Sequence, residues 1–365
     1  MSSQPKVIQF HHQPIQSHCF NQDRTILAIT NETNVEIYDL KQSPPKLITI
    51  LKDHDKLVTA VDISIHGRIV TCSQDRNAIV WEPLSDGSYK PTLVLLRINR
   101  AATTVAWSPN GFKFAVGSSA RIISVCYFEQ ENDWWISKHI KKPLRSTILS
   151  VSWHPNNVLL AAGSTDGHAR VFSGYIKGID TKPEPSYWGE KLPFQTLCGD
   201  FISSNGGWIH DVKFSPSGDV LGFVAHDSSL TIVYPGGVDN PPKSILSVST
   251  SFLPFKSLVF KNENEIIAAG HNCHLVVFQG DESNWVQSGA IDDPNKNDDK
   301  TVGETSALNM FKQLDLKGTL SGNGSGLKTI HQNTITELRP YQGSSNELTK
   351  VSSSGIDGRV VIFNV

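Results

Sequence analysis

The stretch from Asp53 to Trp81, DHDKLVTAVDISIHGRIVTCSQDRNAIVW, constrains the fold more than any other, because the rest of the chain reads as degenerate copies of it. His54 opens the unit, and Val58, Val61 and Ile63 follow four, seven and nine residues on. His66-Gly67 supplies a turn, Arg68 to Ser73 a strand, Gln74 to Asn77 a second turn and Ala78 to Trp81 a further strand. The apolar positions are largely β-branched, their runs are short and bounded by turn residues, and none is long enough for a helix. The unit is therefore a strand meander. Tight hairpins bury polar groups, and a relay from Asp75 through His54 to a strand hydroxyl and on to the Trp81 indole would satisfy them. The expected members are His54, Ser73, Asp75 and Trp81, with Thr71 the other hydroxyl in reach.

Laid along the chain, the His position falls on His11, His54, Ile98, Leu144, Asn205, Ser251 and His331, which defines seven units. The position nine residues later is Phe20, Ile63, Trp107, Trp153, Phe214, Phe260 and Pro340, and the Trp position is Tyr38, Trp81, Cys126, Phe172, Val233, Phe278 and Phe363. The turn carboxylate is Asp75 in the second unit, replaced elsewhere by Glu32, Ala120, Asp166, Asp227, Asn272 and Asp357. The full relay is thus expected only in the second unit, with packing holding the others. This spacing resembles the WD-repeat family of β-propellers, which implies an all-β, seven-bladed ring. Residues 6 to 10, KVIQF, read as a lone strand, and the chain ends on a third strand, Arg359 to Val365. Pairing the first strand into the last blade would close the ring and remove an exposed edge.

Seven stacked units make one repeat domain spanning residues 1–365 rather than two domains. With 38% hydrophobic and 19% charged residues the composition is that of a soluble globular chain. No apolar run approaches the ~18 residues of a membrane span, so no membrane insertion is expected. The start of the chain lacks the apolar core of a secretory signal. Five cysteines without CxxC spacing fit buried thiols in a reducing compartment.

Two insertions interrupt the repeat. The first, 173–204, carries Pro183, Pro185 and Pro193 with Tyr187, Trp188 and Phe194, and reads as an ordered excursion over the rim. The second, 291–328, begins with an acidic, Asn-rich run whose composition favours disorder. It continues into a short amphipathic helix at about 306–317, with Ala307, Met310, Phe311 and Leu314 on one face. So short a helix needs a docking surface, its own ring or a partner's groove.

Charge is segregated. Between Gly87 and Thr165 the acidic residues are only Glu129, Glu131 and Asp133, against nine basic ones. Arg97 and Arg100 flank the His position at Ile98, and Lys141, Lys142 and Arg145 flank the one at Leu144, so two neighbouring blades are expected to present one basic patch suited to an acidic partner. Nucleic acid is disfavoured, because the chain as a whole has a net charge of -2. GHNCH at Gly270 to His274 lacks a second ligand cluster in phase, so no metal is expected. SGNGSGLKT lacks the Gly before Lys328 that a phosphate loop requires, and no nucleophile elbow or HExxH appears. No cofactor and no catalysis are expected.

A closer resemblance runs through LRINRAA (Leu96 to Ala102), CYFEQENDWW (Cys126 to Trp135), KHIKKPLRST (Lys138 to Thr147), WHPNNVLLAAGS (Trp153 to Ser164) and HQNTIT (His331 to Thr336). These strings are similar to the WD-repeat subunits of the actin-related protein 2/3 complex, and in the second insertion Ser306, Ala307, Phe311, Leu314 and Asp315 fit as well. The resemblance implies a non-catalytic scaffold in the cytoplasm at cortical actin structures. Its partners would be actin-related and small core subunits, the actin filament or an activator-bound face approached by the helical insertion, and the acidic tails of nucleation-promoting factors. The alternatives are a free-standing adaptor, such as a ubiquitin-ligase substrate receptor, and an enzyme whose residues converge on the channel from several blades.

Overall fold

Seven four-stranded antiparallel sheets form in the computed structural model, which describes residues 4–237, 240–294, 327–344 and 346–365. Each sheet is one blade, and in blades 1 to 6 its strands are consecutive in the chain. In blade 7 the outer strand is Lys6–Gln9, which pairs antiparallel with Arg359–Asn364, Val7 opposite Val361 and Ile8 opposite Val360. The closed, seven-bladed all-β ring is thus the observed fold, and the N-terminal strand is what closes it.

The inner strands, in blade order, are His18–Phe20, Val58–Ile63, Ala102–Trp107, Ile148–Trp153, Ile209–Phe214, Phe255–Asn262 and Ile335–Gly343. Six of them carry a register shift at the same place, between Val58 and Ala60 and its equivalents. The residue left out of the ladder (Thr59, Thr103, Leu149, His210, Lys256 or Thr336) lines the axial channel, about 200 Å³ in volume and bordered by all seven blades. A bulge sharpens strand twist, so the repeated bulge helps each inner strand turn past its neighbour around a tight axis.

The apolar positions of the repeat meet across the second strand of every blade. Ile63 pairs with Ile69 and Ile69 with Trp81. The same register joins Trp107, Phe114 and Cys126, Phe214, Leu221 and Val233, and Pro340, Val351 and Phe363. Each row faces the next blade, so the core lies between blades rather than within them. One such cluster joins Val80 and Val94 of blade 2 to Phe114, Cys126 and Trp135 of blade 3.

The insertion expected at 173–204 is shorter in the structure, because Leu197–Ile202 is the outer strand of blade 4 and only 174–196 connects it to His168–Ser173. It is anchored rather than loose: Trp188 is buried against Phe214, and its indole donates to the Gly218 carbonyl at 2.8 Å. The second insertion leaves blade 6 after Trp285–Ile291 and returns before Ile335. The expected helix at 306–317, with Ala307, Met310, Phe311 and Leu314, lies outside the described residues.

Candidate functional site

In blade 2, His54 Nδ1 lies 2.7 Å from Asp75 Oδ2 and His54 Nε2 lies 2.8 Å from Thr71 Oγ1. The Trp81 indole donates to the same Thr71 oxygen at 3.0 Å. The hydroxyl of the relay is therefore Thr71, not Ser73. Ser73 faces the same way two residues on, but its Oγ donates to the Lys56 carbonyl at 2.9 Å and accepts the Asp75 N–H at 3.1 Å, which shapes the turn that carries Asp75.

Blade 7 repeats most of the arrangement. His331 bonds Asp357 at 3.1 Å and Ser353 Oγ at 2.7 Å, with Phe363 in place of the indole. Burial pushes the Asp357 carboxyl up, but the His331 bond and the N–H groups of Gln332 and Arg359 outweigh it and hold the group below its ordinary range. Blades without the histidine do not rely on packing alone. In blade 4, the buried Arg170 reaches Asp166 at 3.0 Å and Asp200 at 3.2 Å. In blade 5, Asp227 accepts from Ser229 and Ser203. In these two blades the turn carboxylate is present with partners other than a histidine.

These turns, and the connections from each outer strand to the next inner strand, form what we call the upper face. Arg97 and Arg100 lie in the connection between Tyr89–Val94 and Ala102–Trp107, and Lys141, Lys142 and Arg145 in that between Trp134–Ile140 and Ile148–Trp153. Val94, Leu96 and Ile98 alternate inward, so Arg97 is turned to solvent, and Leu144 likewise anchors its loop with Lys142 and Arg145 exposed. The first loop is tied to the outer strand of blade 3, which leads into the second. Arg97 donates to the Ser137 carbonyl, Ser137 donates to the Leu95 carbonyl at 3.0 Å, and His139 bonds the Leu96 carbonyl at 2.8 Å. Burial lowers the pKa of His139, and the charges of Arg97 and Lys141 add to that depression, so cations from both loops bear on one point.

Lys113 does not contribute to this basic surface. It is fully buried, its ammonium paired with Asp180 of the first insertion, bonded to the Gly174 carbonyl at 2.7 Å and set 4.8 Å from the Trp153 ring. The acidic turn at Glu129 to Asp133 joins the third and outer strands of blade 3 on the lower face.

Around the channel runs a second polar system. Asp62 accepts from Arg339 at 2.7 Å and from the Trp107 N–H at 2.7 Å. Asp211 accepts from the hydroxyls of Ser150 and Ser257, the N–H groups of Val212 and Leu258, and Lys213. These carboxylates tie blades together and have no free oxygen to offer a substrate. His271 and His274 point to separate partners, Thr334 and the Asn272 carbonyl. Among the described residues no group of three or more His, Cys, Asp or Glu side chains is placed to hold a metal ion.

The family model for the WD domain, G-beta repeat, matches residues 45–82 and 137–173. Each window runs from an outer strand through the first three strands of the following blade, so the sequence repeat straddles two blades. The chain is 52% identical to actin-related protein 2/3 complex subunit 1 of Saccharomyces cerevisiae, with 96% of this chain and 95% of that protein covered. It is 50% identical to actin-related protein 2/3 complex subunit 1 of Schizosaccharomyces pombe, with 96% and 97% covered. It is 46% identical to subunit 1A-A of that complex in Xenopus laevis, with 98% and 95% covered. Identity at this level over nearly the whole length joins a ring of seven blades to one group of proteins: the chain belongs to the actin-related protein 2/3 complex subunit 1 family.

Proposed function

We propose that the chain is a non-catalytic scaffold subunit of an actin-related protein 2/3 complex, working in the cytoplasm at cortical actin where branched filaments are nucleated. The observation that carries this reading is the near full-length likeness to proteins named as subunit 1 of that complex. The occupied state of Asp62 and Asp211 supports a role in contact rather than catalysis. Actin-related and small core subunits pack against the ring. The upper face offers Arg97, Arg100, Lys141, Lys142 and Arg145 to the acidic tails of nucleation-promoting factors; these five are exposed on adjacent loops that contain no acidic residue. Ala307, Met310, Phe311 and Leu314 of the second insertion form the contact with the actin filament.

The test is to recover the tagged chain from extract at physiological salt and determine the composition of what elutes with it. Two actin-related proteins and several small subunits in fixed ratio are expected. Elution as a monomer, or with ubiquitin-ligase components, overturns the proposal.

A further inference from the structure

At the upper mouth of the channel, blades 5 and 6 depart from the others. The channel-lining residue freed by the bulge is Thr59, Thr103, Leu149 or Thr336 in four blades, but His210 and Lys256 in these two. One layer higher, the first residue after the second strand returns its N–H to the residue ahead of the inner strand. That residue is His226 in blade 5 and His271 in blade 6, against Gln74, Ser119, Thr165 and Ile356 at the equivalent places.

Four basic side chains therefore converge. His210 Nε2 lies 2.9 Å from His226 Nδ1, while His210 Nδ1 is buried with no partner. Lys256 donates no hydrogen bond and forms no ion pair among the described residues. The nearby carboxylate, Asp211, is filled by its five donors. From blade 7 the channel receives Arg339 and Glu337, which bond each other at 2.9 Å, and blades 1 to 4 supply Ser17, Thr59, Thr103 and Ser150 without charge. The groups repel one another. Burial pushes His210 down to about 3, with Lys256, His226 and His271 adding to it and Asp211 opposing. His271 is lowered by burial, Lys256 and His226.

We propose that this mouth binds a small polyvalent oxyanion of the phosphate class. An ammonium beside the imidazoles repels a cation, so the cluster is not a metal site. An anion would find unsatisfied donors on two blades at once and relieve the mutual repulsion. Several oxygens are needed to reach them all, and a channel of about 200 Å³ admits a small ion rather than a peptide segment. Trp208 is exposed, with its ring 5.7 Å from that of His226. The proposal is independent of the assembly in which the chain works.

Equilibrium dialysis of the full-length chain against labelled sulfate and inorganic phosphate tests it. Sulfate keeps its charge through the imidazole range, so a pH effect reports protons taken up by the protein. One equivalent is expected, bound about tenfold more tightly at about pH 5.5 than at about pH 7.5. Lys256→Met should weaken binding about tenfold or more, and His271→Gln, which removes an imidazole that burial, Lys256 and His226 hold below its ordinary range, should flatten the pH dependence. Absence of binding at both pH values overturns the site. So does unchanged affinity in Lys256→Met, or zinc binding at His210 and His226 with which sulfate does not compete.

Discussion

The Arg339 guanidinium of blade 7 lies 2.7 Å from the Asp62 carboxylate of blade 2, reaching past blade 1 along the channel wall. Arg339 also bonds Glu337 and the Val61 carbonyl, and Glu337 in turn accepts the His18 N–H at 2.9 Å. Three inner strands, one from each of blades 7, 1 and 2, are thereby held beside the seam where the ring closes. Asp62→Ala leaves Arg339 and the Trp107 N–H short of an acceptor, and should cost about 3 kcal/mol in denaturant unfolding. The double variant with Arg339→Met should cost less than the sum of the single changes, because the second removes a charge the first has stranded.

Thr71 bonds both the His54 ring and the Trp81 indole, whereas Ser353 bonds the His331 ring and no indole; each hydroxyl also reaches a strand carbonyl, that of Ile79 at 3.5 Å and of Val361 at 3.4 Å. Thr71→Val keeps shape but leaves the His54 ring nitrogen and the Trp81 N–H without partners, an expected loss of about 3 kcal/mol. Ser353→Ala affects only the His331 side of its relay and should lose about half as much. Equal losses in urea titrations would mean that the indole bond contributes nothing.

Burial holds the Lys113 ammonium down at about 8, with Asp180 opposing the shift, against 10.5 for an unperturbed lysine. Between about pH 8 and about pH 10.5 the unfolded chain keeps a proton that the folded chain has released, so this group's contribution to stability rises with pH across that window. The stability difference between wild type and Lys113→Met should accordingly move toward wild type as pH climbs through it. At neutral pH the variant leaves Asp180 buried without its cation, and limited proteolysis should cut between 177 and 191 faster than in wild type. An unchanged cleavage rate would remove Lys113 as the anchor of the insertion.

What the sequence could and could not disclose follows from periodicity. Ile63, Trp107, Phe214 and their partners recur at one phase, so the blades and their register were legible. Thr71 and Ser73 share one face two residues apart, and only the turn geometry that engages Ser73 decides between them. Asp62 and Asp211 occupy different positions of the repeat, so no phase argument joins them to one belt. The partner of Lys113 lies in an insertion that the repeat does not cover, so a count of charges does not reveal that this ammonium is buried.

The five cations of the upper face act through exposed charge, so reversing Arg97, Arg100 and Arg145 to Glu should leave the unfolding midpoint nearly unchanged. Affinity for a labelled acidic peptide should fall about tenfold or more at low salt, with a shallower dependence on ionic strength. Anisotropy titrations at two salt concentrations read both quantities, and identical curves for wild type and variant would dismiss the patch.

Ring closure depends on Gly358, which holds a φ of 73° in the turn before the last strand. A Cβ there would stand 1.8 Å from the His11 carbonyl oxygen and 3.1 Å from that of Gln13. Both obstacles are backbone, so no rotamer change relieves them. The segment leaving Lys6–Gln9 must move away, although the Phe10 N–H bonds the Gly358 carbonyl at 3.2 Å. Gly67 has a similar φ of 78°, but its nearest neighbour would be the Pro83 side chain at 3.9 Å. Gly67→Ala therefore carries only the conformational cost, about 1 kcal/mol. Gly358→Ala carries that cost and the loss of closure. Amide exchange at Val7 and Ile8 should accelerate strongly in Gly358→Ala and stay near wild type in Gly67→Ala. Equal exchange in the two variants would mean that the first strand holds the ring without this turn.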